Sequence, residues 1–339
     1  MKKYMKLFIT VMFFLGILAL TYYSSGFSST ELQKKAVIGV IVGTFDDTWR
    51  TCVRNEIYKI AEGKIKVDIW NGNNSQTVEN EKIDLMIQNK ISSLAINLVD
   101  STAAGEIIEK VKKNNLPVIF FNREPLLEEL KKWDKAYYVG AKAEQSGTLQ
   151  GQILVNYFKT HPTANGVIRY AMLKGEPGHQ DAELRTKYVI KAMEDAGFHV
   201  QKVAEDTGMW DRIKGQEKME LFLSSHGDGI DCVIANNDDM ALGAIDALKN
   251  KGYFQNGKYI PVVGVDATTP ALKALSEGTL LGTVLNDAVH QGRAIFNLAN
   301  VFAEGKVPSN ENIGYKITDG KYVWIDYKII TKENINDAK

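Results

Sequence analysis

The sequence predicts an α/β protein of two doubly wound lobes, each a parallel sheet with helices on both faces. Three observations carry this. The chain is 339 residues long, past the size at which a single hydrophobic core goes on growing, so it divides. From Ala36 onward, short β-branched runs alternate with longer stretches whose apolar residues recur at helical spacing, the signature of βαβ units. This alternation completes one lobe and restarts after Gly140.

In the first lobe, runs rich in Val, Ile and aromatic residues place strands at 37–42, 66–70, 93–97, 117–121 and 136–139. Helices are expected between them at 48–61, 78–89 and 102–113. The second lobe opens with a helix at 144–158. Strands follow at 167–173, 200–205, 232–235 and 261–265, with helices at 181–196, 211–224, 240–249 and 269–276. The charged segment after Tyr327 reads as a surface element.

Right-handed crossovers put the loops after the strand C-termini at one edge of each sheet, where ligands bind in such folds. Those loops are polar and aromatic: Gly43-Thr44-Phe45-Asp46-Asp47-Thr48-Trp49, Phe121-Asn122-Arg123-Glu124, Lys174-Gly175-Glu176-Pro177-Gly178-His179, Asn236-Asn237-Asp238-Asp239 and Asp266-Ala267. None carries a phosphate-binding glycine fingerprint, so a nucleotide cofactor is not expected. A nucleophile elbow is also missing.

Composition narrows the partners. Basic and acidic residues balance at 41 each, and with the leading Lys2, Lys3 and Lys6 set aside 38 basic face 41 acidic residues. No basic face calls for nucleic acid or anionic lipid. Cys52 and Cys232 lie far apart without metal-ligand spacing, so we read both as small buried residues, with a bridge between them unsupported by the sequence. The lysine-rich start followed by the apolar run from Leu7 to Leu20 is an export signal. No small-x-small cleavage site is evident, and Tyr22 and Tyr23 extend the run before Ser24-Ser25-Gly26. Residues 1–28 are therefore either a cleaved signal peptide or an uncleaved membrane anchor. No cysteine follows that could carry a lipid.

The order of words in the chain is specific. Ala95-Ile96-Asn97-Leu98-Val99-Asp100, Phe120-Phe121-Asn122, Tyr137-Tyr138-Val139-Gly140, the Lys174-to-His179 loop, Asp181-Ala182-Glu183-Leu184-Arg185-Thr186, Met209-Trp210-Asp211, Gly264-Val265-Asp266-Ala267 and Gly282-Thr283-Val284-Leu285-Asn286-Asp287-Ala288 occur in sequence. Together they resemble the bacterial periplasmic galactose/glucose-binding proteins, from Val37 to about Tyr327. The resemblance implies a type I periplasmic binding protein fold, two lobes joined by a three-segment hinge. It places the crossings near 139–140, 285–287 and 317–319. The expected lobes are then 36–139 plus 287–317, and 140–286 plus 318–339.

The resemblance also implies the ligand residues. Trp49 and Trp210 are the stacking aromatics, Trp49 standing where the family has Phe. Asp47, Asn122, His179, Asp181, Arg185, Asn237, Asp266 and Asn286 form the polar set, with Asp47 near the C4 hydroxyl. The chemistry fits a pyranose, whose apolar C–H faces want flat rings and whose hydroxyl rim wants groups that donate and accept. Blander readings exist for single residues. Trp49 at a helix start is also ordinary packing, His179 alone is a loop histidine, and Asp181 with Arg185 four residues on is also a plain helix ion pair worth about 0.3–0.5 kcal/mol. Two carboxylates beside a sugar also describe a glycosidase pair, the less favoured reading because the resemblance implies an enclosed monosaccharide.

One departure concerns a metal. Where Gram-negative relatives carry a calcium loop, this chain reads His161-Pro162-Thr163-Ala164-Asn165-Gly166-Val167-Ile168-Arg169. Calcium wants six to eight oxygens, several of them anionic. The aspartates are gone and a cation stands at Arg169, so no calcium and no other cofactor is expected. Arg169 is expected to pair instead with Asp231. The implied function is extracytoplasmic binding of galactose or glucose by cleft closure in a monomer, with delivery to an ABC permease. A membrane-tethered sensory role with a chemoreceptor or histidine kinase is the alternative.

Overall fold

A computed structural model describes residues 36–338. The chain runs β1 (Val37–Val42), α1 (Thr48–Ala61), β2 (Lys66–Asn71), α2 (Gln76–Gln88), β3 (Ser93–Ile96), α3 (Ala104–Lys113), β4 (Val118–Phe121), α4 (Leu127–Leu130) and β5 (Ala136–Gly140). It continues through α5 (Ala143–Thr160), β6 (Val167–Lys174), α6 (Gln180–Asp195), β7 (His199–Thr207), α7 (Arg212–His226), β8 (Cys232–Ala235), α8 (Asp238–Asn250), β9 (Val262–Val263), α9 (Thr269–Glu277) and β10 (Thr283–Leu285). The remainder is α10 (Ala288–Ala303), α11 (Asn310–Ile313), β11 (Ile317–Thr318), β12 (Tyr322–Trp324) and β13 (Lys328–Ile330). The N-terminal apolar run lies outside the described residues. Among the described residues no helix is long and apolar enough to cross a membrane.

The first sheet has seven strands in the order β11-β12-β5-β4-β3-β1-β2. Both its faces are buried, which is why its strands read as continuous apolar runs. Along β1, Ile38, Val40 and Val42 enter one core while Ile41 enters the core on the opposite face. β4 divides the same way, Ile119 and Phe121 against Val118 and Phe120. The second sheet, β7-β6-β8-β9, repeats the pattern: Val233 and Ala235 of β8 face one core, Cys232 and Ile234 the other. The β10–β13 pair continues this sheet through parallel bridges from Val263 to Gly282 and from Asp266 to Leu285. Cys52 and Cys232 are both free.

The third crossing is not where the resemblance put it. β11 and β12 pair antiparallel, and β12 then lies parallel beside β5, so residues 318–324 stand in the first sheet. The chain returns to the second sheet only at β13. A hairpin turn causes the difference: Asp319 and Gly320 both have positive φ, 52° and 67°, and Lys321 N–H donates to Thr318 O at 3.0 Å. Asp-Gly is the residue pair that such a turn requires.

Glu79, on α2, is fully buried and its carboxylate braces the loop after β3. It accepts from Val99 N–H and from Gln76 Nε2, both at 2.9 Å. Burial pushes its pKa up to about 7 from 4.5. The folded protein therefore holds a proton that the unfolded chain releases between these pH values. Stability is highest below about pH 4.5 with respect to this group, falls as pH rises, and levels above about pH 7. The expected span is on the order of 3 kcal/mol. Glu79→Gln is expected to flatten that part of a melting-temperature against pH profile; an unchanged profile would count against the assignment.

Candidate functional site

The loops after the strand C-termini of both sheets converge on one cavity. It is lined by Asp47, Trp49, Arg50, Asn122, His179, Asp181, Arg185, Trp210, Asn237, Asp266 and Asn286. All ten residues expected from the sequence are brought together, and Arg50 joins them. The space between its lining atoms is about 330 Å³, open solvent at the mouth included. A wider groove of about 1580 Å³ runs beside α3, but its walls are surface lysines and glutamates and contain none of the ten. The smaller cavity is the candidate site, because its polar groups converge and most of them are buried.

Helix N-termini set much of the geometry. Asp47 caps α1, accepting from Arg50 N–H at 2.6 Å, and its second oxygen accepts from Arg50 Nη1 at 3.2 Å. His179 caps α6, its Nδ1 accepting from Asp181 N–H at 3.1 Å. With Nδ1 used as acceptor, the ring proton sits on Nε2, which is left to donate. Burial holds the His179 pKa well below the ordinary histidine value, with the Arg123, Arg50 and Arg185 charges adding to the shift, so the ring is neutral at pH 7. Asn237 caps α8 through its Oδ1 while its Nδ2 donates to Trp210 O.

Two fully buried asparagines brace these loops in equivalent places. In the first lobe Asn97, just past β3, accepts from Gly43 N–H at 3.2 Å and donates to Asn122 Oδ1 at 3.1 Å. In the second lobe Asn236, just past β8, accepts from Gly175 N–H at 2.9 Å, while its backbone oxygen accepts from Arg185 Nη1 at 2.8 Å. Arg185 also donates to Asp181 Oδ2 at 3.0 Å and to Tyr327 Oη at 3.1 Å. The Asp181–Arg185 pair is thus only 14% and 3% exposed in its side chains, which takes it out of the class of plain surface ion pairs.

Asn286 is fixed from both ends, accepting from Gln291 Nε2 at 2.7 Å and donating to Asp266 Oδ1 at 3.2 Å. Burial pushes the Asp266 pKa well up; Arg185 opposes this, and Asp238 and Asp47 reinforce it. Trp49 is buried in the first core yet reaches the cavity, and its Nε1–H donates to Asn286 O at 2.7 Å. A phenylalanine there has no such donor, so Trp49 ties α1 to the second crossing. Three site residues hold positive φ: Asn122 at 65°, Trp210 at 65° and Asp266 at 124°. Strained backbone of this kind collects at functional sites.

The lobes meet across the cavity. Thr48 Oγ1 donates to Asp239 Oδ1 at 3.0 Å, Gln180 Nε2 donates to Glu124 Oε2 at 3.2 Å, and Arg123 pairs with Glu176. These bonds bridge the lobes beside a polar cavity whose lining includes both tryptophans. The sequence reading missed Arg50, Tyr327, Asn97, Asn236 and Gln291. Arg50 left a local signal, standing three residues after Asp47 at a helix start, and Asn236 left another, standing in one of the polar strand-end loops.

The profile of the periplasmic binding protein domain matches residues 38–306. The chain is a periplasmic binding protein. It is 40% identical over 319 residues to the D-galactose/methyl-galactoside binding periplasmic protein of Haemophilus influenzae, covering 92% of this chain and 94% of that one. It is 26% identical over 286 residues to the ribose import binding protein of Bacillus subtilis, covering 82% and 85%. Among solved structures, an ABC transporter solute binding protein of Bacillus halodurans with bound myo-inositol superposes with a TM-score of 0.75 at 29% identity, covering 89% and 96%. The type I periplasmic binding protein fold expected from the sequence is the fold of this chain. The family is one of binding proteins, and its periplasmic character implies an extracytoplasmic location.

Proposed function

We propose that this periplasmic binding protein encloses one hexose, D-galactose or D-glucose, between its lobes and delivers it to an ABC importer. The observation that carries this is the convergence of ten residues of the expected types on one cavity between the lobes, with both tryptophans on its wall. Asp47, Asp181 and Asp266 accept hydroxyl protons, Arg185 and His179 Nε2 donate, and the asparagine amides do both. Each charge-assisted bond of this kind contributes about 1.5–3 kcal/mol. Contacts shared between lobes gain full strength only on closure, so the closed form is the state a membrane partner reads. Titrating the purified protein with galactose, glucose, ribose and xylose by calorimetry tests the reading. Binding of either hexose is expected; no heat with either at millimolar concentration would sink it.

The same reading makes the protein a monomer without hydrolytic activity: aryl galactosides and glucosides are expected to release no aryl group. The sensory alternative rests on the apolar run at Leu7 to Leu20, which would fix the protein beside a membrane receptor.

We further propose that no calcium is bound at the 161–169 segment. Arg169 Nε and Nη2 donate to the two oxygens of Asp231 at 2.9 and 2.8 Å, and Arg169 N–H adds a third bond at 2.7 Å. A guanidinium fork so placed supplies the positive charge an ion would bring. Added EDTA or calcium is expected to leave the melting temperature unchanged, and a chelator-induced drop of several degrees would overturn this.

A further inference from the structure

The two lobes present matching carboxylate–guanidinium pairs to the cavity. In the second lobe the pair is Asp181 and Arg185, in the first turns of α6, the helix that follows β6. In the first lobe the pair is Asp47 and Arg50, at the start of α1, the helix that follows β1. Their atoms are similarly close, Arg185 Nη2 to Asp181 Oδ2 at 3.0 Å and Arg50 Nη1 to Asp47 Oδ2 at 3.2 Å. Both arginines are buried, Arg50 at 7% and Arg185 at 3% exposure.

Arg50 differs in one respect. Arg185 is held by Asn236 O and Tyr327 Oη as well as by its carboxylate, whereas among the described residues the Arg50 guanidinium bonds to Asp47 alone. The Nε of each arginine is buried without a hydrogen-bond partner among the described residues. A buried guanidinium donor left unmade is costly, so a partner is to be expected inside the cavity it lines. The Arg50 charge is also felt across the cleft, where it helps to hold down the pKa of His179 and opposes the rise at Asp181.

We propose that Arg50 is an eleventh ligand-contacting residue, donating to a hydroxyl oxygen of the bound sugar whose proton Asp47 accepts. One hydroxyl then satisfies donor and acceptor of the pair at once, and the facing pairs grip a polyol ring from both lobes. A ligand lacking that hydroxyl leaves the pair matched only to each other and loses both bonds to it, which makes the pair a specificity determinant. The inference rests on the hexose-binding reading above.

The test is calorimetry on the full-length protein, Arg50→Met and Arg50→Gln, with galactose, glucose and their 2-, 3-, 4- and 6-deoxy analogues. Arg50→Met is expected to weaken hexose binding by roughly 10- to 150-fold. One deoxy analogue is expected to bind wild type worse than its parent sugar and to bind the variant no worse, which identifies the hydroxyl. Should Arg50→Met not fold, Arg50→Gln, with one amide donor, is expected to retain part of the affinity and to lose most of the same deoxy penalty. Variants that bind within twofold of wild type, or that keep every deoxy penalty, overturn the role of Arg50 alone. A wild type that binds no sugar in the panel overturns the hexose reading and this inference with it.

Discussion

Arg185→Met is expected to abolish measurable high-affinity binding while costing the fold about 3 kcal/mol or more. Arg185 is buried at 3% exposure and donates to Asn236 O, Asp181 Oδ2 and Tyr327 Oη. Methionine fills the volume but leaves Asp181 as a buried carboxylate without its cation, and burial already pushes that carboxyl upward. Asp181 then takes up a proton or draws in water, and either way the oxygens offered to a ligand change. Affinity is expected to fall roughly 100-fold or more, read by calorimetry. Pairing the change with Asp181→Asn separates its two effects. The double variant removes the stranded charge, so melting temperature is expected to recover in part while binding does not. Unchanged affinity in Arg185→Met would remove this pair from the site.

Gly175→Ala is expected to damage the site although Gly175 is not itself one of the ten residues. A Cβ built on Gly175 would lie 2.1 Å from Cζ2 of Trp210. The backbone has no slack to absorb this, since Gly175 N–H donates to Asn236 Oδ1 at 2.9 Å and Gly175 O accepts from Thr207 Oγ1 at 2.6 Å. The Trp210 ring is therefore the part that moves, away from the cavity it walls. Overpacking of this kind costs about 1–3 kcal/mol, so affinity is expected to drop roughly 10- to 100-fold. The change in tryptophan fluorescence on sugar addition is expected to shrink with it. An alanine variant with native affinity and native fluorescence response would show that Trp210 is not positioned by this contact.

These two residues also show where reading the sequence succeeds and where it stops. Arg185 was legible because Asp181 precedes it by one helical turn within a distinctive loop-to-helix run. Gly175 was legible only as part of that run; the ring that forbids a side chain there belongs to a residue 35 positions away, brought alongside by the β6–β7 pairing. Thr48 to Ala61 and Cys232 to Ala235 were placed to the residue, since a helix and a buried strand are set by the spacing of their own apolar side chains. The third crossing was misplaced although its cause, Asp319-Gly320, is a short-range signal. A crossing and a hairpin both look like a turn after a short strand, and only the partner strand tells them apart.

What the chain by itself determined is the alternation of strand and helix, the two-lobe architecture, and the identity of ten residues at strand ends and helix starts. Each depends on neighbours within a turn or two, or on the order of words along the chain. What the tertiary structure decided is how those side chains are held and charged. Asn97 aims Asn122, Gln291 aims Asn286, Tyr327 steadies Arg185, and Arg50 lines the cavity with a buried Nε that has no partner among the described residues. Hydrogen-bond satisfaction and desolvation depend on everything packed around a group, from whichever part of the chain it comes, and local spacing carries no record of that.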